Sequence, residues 1–231
     1  MFIGHYSAAF ALKSVEKEAP LGALAIAVQF IDVLFFPFVL LGIEHMNIVP
    51  GYTQASPLEL YSMPYTHSLL GALFWSVVVS VAWMFVGPQS ASRRRVAVIM
   101  GIAVFSHWIL DLVVHTPDLS LWGGDSPKVG FGVWRNALAT FLLEAALLLA
   151  SIYAYVRVTK PVSTIGRYAV WIFALVLIGA NAINIYGPTP TNVTAASVLG
   201  LALYLVFAGI AWWLDGKRSW DQARANIPAN N

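Results

Sequence analysis

The chain contains no cysteine, which excludes disulfides, thiolate nucleophiles and cysteine-ligated zinc. Charge is almost as scarce. Only 10% of the 231 residues are Asp, Glu, Lys or Arg, against roughly 25% in a soluble domain. The net charge of +2 comes without a continuous basic patch, so nucleic acid is not an expected partner. The opening segment, MFIGHYSAAFALKSVEKEAP, lacks a basic start before its apolar run and has no clear cleavage site, so it does not read as a signal peptide. No stretch is left over for a soluble domain, and residues 1–231 read as a single transmembrane domain.

What fills the chain is apolar sequence: 59% of residues are hydrophobic and the mean hydropathy is +0.73. A helix crosses the hydrocarbon layer in about 20 mainly apolar residues. Six stretches qualify, at 21–43, 66–87, 96–115, 135–158, 167–187 and 194–214, separated by glycine and proline pairs such as Pro50-Gly51 and Gly87-Pro88. The expected fold is an all-α polytopic membrane bundle of about six transmembrane helices plus a short N-terminal membrane-associated helix. Pro37, inside the first span, should kink it.

Eleven of the thirteen lysines and arginines, including Arg93–Arg95, Arg157, Lys217 and Arg224, fall on one side of this arrangement. Only Lys128 and Arg135 fall on the other. The positive-inside rule then places both termini in the cytoplasm and the loops 44–65 and 116–134 outside. Residues 2–15 are apolar but too short to span. They either lie flat on the membrane or dip into it as a half-helix, which would carry His5 about 12 Å beyond Lys13.

Ionisable residues inside such spans are costly and mark partners, ions or water-filled cavities. His107, Asp111 and His115 are four residues apart, so on a helix they share one stripe. The remaining ones in or beside the spans are His5, Asp32, Glu44, His45, His67, Asp118 and Glu144. Imidazole with carboxylate is the ligand set of zinc, iron or manganese, and a divalent transition metal, zinc foremost, is the expected cofactor. Structural roles compete with this reading. His45 can hydrogen-bond to a neighbouring helix, His67 can sit at the interface or at a helix cap, Asp118 can cap a short outer helix, and Glu144 can pair with Arg135 or a tyrosine. Upright helices would put His67 about 10 Å above His107. That gives an upper tier of His67, Asp111 and His115 and a lower tier of His5, Asp32 and His107, with one metal near Asp111. In the glycine-rich loop 122–136, Trp122 and Trp134 are expected at the lipid interface, and Asn181 and Asn184 read as interhelical glue or, alternatively, as lining the cavity.

GHYSAAFAL, QFIDV, YTHSLL and SHWILDL, in that order over residues 2 to 120, resemble the bacterial membrane-bound metal-dependent hydrolase family of inner-membrane proteins. FIGHY, GIEHM, PYTHSLL and HWILDLVVHTPDL look like a branch of multi-span bacterial proteins with no settled activity. The family is distantly similar to zinc-dependent phospholipase C and P1-type nucleases, whose late H-x-x-x-E pair this chain lacks. The resemblance implies His5, Asp32, His67, His107 and Asp111 as metal ligands and a bacterial inner-membrane location. Three functions follow as expectations. One is a hydrolase of a lipid-like ester, amide or phosphoester reached from the outer face, with Asp111 or Asp32 as the catalytic carboxylate. The second is a transporter with an intramembrane proton or cation site. The third is a non-catalytic subunit whose partner is a larger membrane-protein complex.

Overall fold

The computed structural model describes residues 1–220; Arg224, counted above among the cytoplasmic charges, lies outside them. Five helices are long and apolar enough to cross a membrane: α4 (Leu69–Val86), α5 (Arg93–Val114), α6 (Ala137–Val158), α7 (Thr164–Tyr186) and α8 (Val193–Asp215). Together, α2 (Leu21–Val28) and α3 (Phe30–Leu40) are also long and apolar enough, though they meet at a 50° bend, which makes up to six crossings. The protein is an all-α polytopic bundle. Leu70, Phe74, Val77, Val81 and Phe85 recur every three or four residues on α4 and are exposed, as a lipid-facing stripe requires. Side chains of Ser68, Asn136, Ser163 and Asn192 accept the third amide beyond them and so start α4, α6, α7 and α8.

The first helix, α1 (Ile3–Val15), is buried inside the bundle rather than lying flat, and it packs chiefly against α6 and α2. Lipid tails are as apolar as leucine, so close packing and polar contacts must hold it there. At its N-terminal end the Phe2 and Gly4 amides both donate to Glu144 Oε2, at 2.9 and 3.0 Å. That carboxylate satisfies amides which would otherwise be stranded in an apolar interior. At the other end Lys13 Nζ bonds the Lys17 and Ala19 carbonyls and pairs with Asp215 at 3.0 Å, while Glu16 pairs with Arg95. Gly22 lets α2 approach α8: a Cβ there would lie 2.6 Å from Trp212 Cβ.

The bend in the first span falls at Gln29, not at the expected Pro37, and α3 runs through Pro37 to Leu40. Gln29 is fully buried and its amide nitrogen donates to the Phe2 carbonyl at 3.3 Å. The break is therefore tied to α1, and it leaves the last carbonyls of α2 open to other donors.

Short hairpins close the loops 44–65 and 116–134. Strands β1 (His45–Ile48) and β2 (Leu58–Ser62) pair antiparallel, with Asn47 opposite Glu59, and β3 (Leu119–Ser120) pairs with β4 (Lys128–Val129). A third ribbon, β5 (Thr159–Pro161) with β6 (Arg218–Trp220), joins the ends of α6 and α8.

Candidate metal centre

Six side chains named from the sequence meet in one buried cluster: His5 on α1, Asp32 on α3, His67 just before α4, His107 and Asp111 on α5, and His115 at its end. The expected two tiers are thus a single one. The His67 and His107 rings lie 5.5 Å apart, and His5 stacks on His107 at 3.7 Å. His67 reaches the level of His107 because it is not helical. It closes the Pro64–His67 turn ahead of the Ser68 cap, and this turn reaches down into the bundle, where Trp108 Nε1 donates to the His67 carbonyl at 3.1 Å.

Asp111 stands at the centre. Its Oδ2 is surrounded by three imidazole nitrogens: His107 Nε2 at 3.1 Å, His115 Nε2 at 3.6 Å and His67 Nε2 at 3.8 Å. Its Oδ1 takes the Met1 amino group and faces His5 Nε2 at 3.2 Å. Asp32 Oδ1 lies 3.2 Å from His67 Nε2 and 3.7 Å from His107 Nε2, and its Oδ2 accepts from the Tyr204 hydroxyl at 2.7 Å. Two ligand triads can be drawn, His5–His107–Asp111 and Asp32–His67–His107, each with donor atoms within 4.8 Å of one another and sharing His107.

The outer nitrogens fix the tautomers. His107 Nδ1 meets the Val28 carbonyl at 2.8 Å, and a carbonyl only accepts, so this nitrogen carries the proton. His115 Nδ1 meets Asp118 Oδ1 at 2.9 Å, and a carboxylate likewise accepts. His67 Nδ1 reaches Thr66 Oγ1 at 2.9 Å, and that hydroxyl gives its single proton to Glu44 Oε2 at 2.6 Å. It can only accept from His67. In the neutral form, all three imidazoles therefore aim Nε2 lone pairs at carboxylate oxygens. Lone pairs facing anions repel, and a cation between them turns the repulsion into ligation. His107 Nε2 and both nitrogens of His5 are buried with no hydrogen-bond partner among the described residues. A donor set of this kind, with anchored outer nitrogens, suits a transition metal.

Other expectations are redirected. His45 is exposed on β1 and stacks on Tyr61, away from the cluster. Asp118 caps no helix; it orients His115 and accepts from Thr116 Oγ1. Glu144 pairs with the start of α1 rather than with Arg135 or a tyrosine. Trp134 is not at the lipid interface but buried, its ring 4.1 Å from that of His115. The loop returns over the end of α5, where the Phe131 and Gly132 amides bond the Leu112 and His115 carbonyls. A Cβ at Gly130 (φ 157°) would sit 2.2 Å from the Thr116 carbonyl oxygen, so only glycine permits that approach. Trp122 is exposed. Asn181 is buried, but its amide makes no interhelical bond among the described residues.

The cluster opens onto a cavity of about 240 Å³ lined by Asp32, Asp111, Glu144, His67 and His115 and by side chains of α3, α7 and α8 that are apolar apart from Asn184 and Tyr204. Tyr204, Thr66 and the Val28 carbonyl were not singled out by sequence. A lone phenol in the apolar run VLGLALYLVFAGI was the available sign for Tyr204. Comparison with protein families, curated proteins and solved structures finds no match to this chain, so its chemistry is argued from the cluster itself.

Proposed function

We propose that the chain is a membrane-embedded metal-dependent hydrolase of a lipid-like ester, amide or phosphoester, held in the bacterial cytoplasmic membrane with both termini inward. The observation that carries this reading is the convergence of inward-facing imidazole nitrogens on Asp111 Oδ2, their outer nitrogens anchored. His67, His107, His115 and Asp111 would hold a divalent transition ion, zinc foremost, with His5 supporting from α1. Such an ion, when bound, supplies Lewis acidity that makes water nucleophilic near neutral pH.

The protein's own groups do the rest. Asp111 is committed to four imidazoles, whereas Asp32 faces the cavity with one oxygen held by Tyr204. Asp32 Oδ1 is placed to take a proton from the attacking water as its oxygen bonds the carbonyl or phosphoryl centre. The leaving alcohol or amine then takes that proton, so one water is consumed and none of its atoms is lost. Trp134 and Phe35 wall the cluster and keep bulk water from competing.

The test is elemental analysis of protein purified without chelator, beside His107→Ala and Asp111→Ala variants. About one equivalent or more of transition metal in the native protein, lost in both variants, is the expected result. Equal metal content in all three overturns the proposal and leaves the transporter or subunit readings.

A further inference from the structure

The same cavity has walls of two kinds, and their arrangement gives a route into it. Ile183 on α7 and Leu199 on α8 both line the cavity, yet both are exposed on the outside of the bundle, at 69% and 57%. A side chain can do both only at the rim of an opening. α8 packs chiefly on α2 and α3 and α7 on α6, while the α7–α8 contact is thinner and is made where Phe173 meets Phe207 edge-on at 6.1 Å, away from the cavity-lining Ile183 and Leu199. Alanines at 180 and 196 line the cavity between them and leave the space unfilled.

The β1–β2 hairpin covers one side, while Asn184 and Pro188, at the end of α7, are exposed beside Ile183 at the rim. Ala55, Ser56 and Leu60, around the β1–β2 hairpin, line the cavity and are buried. The Ala55 amide bonds the Trp134 carbonyl at 3.0 Å, and the Ala137 amide bonds Gln54 Oε1 at 3.3 Å, which pins this cover to the start of α6. The gap between α7 and α8 instead opens through the lipid-facing sides of two spanning helices.

We infer that a single acyl chain of a membrane lipid enters sideways between α7 and α8, lying along the cavity with its polar linkage toward Asp32 and Tyr204. The walls contributed by α7 and α8 carry no charged side chain, which suits hydrocarbon. At about 240 Å³ the cavity falls below the roughly 300–1,000 Å³ of small-molecule clefts, so it takes one chain and leaves any second chain in the bilayer. Only the direction of the linkage rests on the hydrolase reading; occupancy by the chain does not.

The experiment uses the full chain in nanodiscs containing a phospholipid with a photoactivatable diazirine on one acyl chain, with peptide mapping of the adducts and metal analysis of the same samples. Adducts should concentrate on cavity-lining positions of α7 and α8. They should fall at least fivefold in Ala180→Trp and in Leu199→Trp, whose exposed site tolerates bulk, and persist in the outward-facing control Leu205→Trp. Adducts spread evenly around the bundle, or unchanged in Leu199→Trp, overturn the inference. Concentrated adducts in protein that holds no metal uphold the entry route while sinking the hydrolase reading.

Discussion

Thr66 decides which way His67 faces. Its hydroxyl gives its proton to Glu44, so it can only receive from the imidazole, and that leaves Nε2 bare toward Asp32 and Asp111. Thr66→Val keeps the shape and removes the acceptor. We expect metal affinity to fall roughly 10- to 100-fold, the range for loss of a group that orients a ligand, with Thr66→Ser restoring it. Competitive metal titration measures this, and an unchanged affinity in Thr66→Val would contradict the relay. Tyr204→Phe tests Asp32 in the same way. Metal content should stay at the native level while turnover drops, because the lost hydrogen bond holds the proton-accepting carboxylate and no ligand. These two roles were invisible in the sequence for different reasons. Thr66 adjoins a histidine but acts through Glu44, 22 residues away, and Tyr204 meets Asp32 across 172 residues. The i, i+4 pair His107 and Asp111 was legible because helix periodicity alone places both on one face.

Among the elements, α1 depends most on its ends. Burial pushes the Glu16 carboxyl up, but hydrogen bonds from Arg95 and from the Glu18 amide outweigh it and hold the group below its ordinary value of 4.5. A carboxyl lowered in the folded state stabilises the fold above its unfolded pKa, and that contribution fades as pH falls through the folded value. Glu16→Gln should therefore lower the unfolding midpoint at pH 7, and the gap to the native protein should close well below pH 4.5. Thermal melts in detergent at both pH values follow it, and a gap that persists in acid would assign the effect to packing instead. Sequence marked the existence of the elements better than their joints. Hydrophobic runs outlined the spans within a few residues, yet Pro37 drew the kink away from Gln29, whose buried amide and link to Phe2 depend on a partner helix that local pattern does not reveal. Trp134 was misplaced for a related reason: the backbone turn at Gly130 and Gly132, rather than the amphipathic character of indole, sets where the ring goes.

At the scale of the whole molecule, the exposed leucines, valines and phenylalanines of the outer helices require detergent or lipid in any preparation. Cysteine-free sequence makes the orientation open to direct test. Arg94 and Lys128 are both exposed and lie near opposite ends of the bundle. With Lys128→Cys, an impermeant maleimide should label intact spheroplasts; with Arg94→Cys, it should label only after lysis. The reverse pattern would invert the topology and move substrate access to the inner leaflet.

The break at Gln29 has a further bearing on how the molecule comes together. In an unbroken helix the Val28 carbonyl would also accept from its own backbone, four residues on, and His107 would have to share the acceptor that fixes its ring. The break thus leaves that carbonyl to the imidazole alone. The Gln29 bond to the Phe2 carbonyl favours the open hinge from the α1 side, and the hinge in turn hands His107 its acceptor once α5 docks, so the ion-gripping pocket is a property of the completed packing.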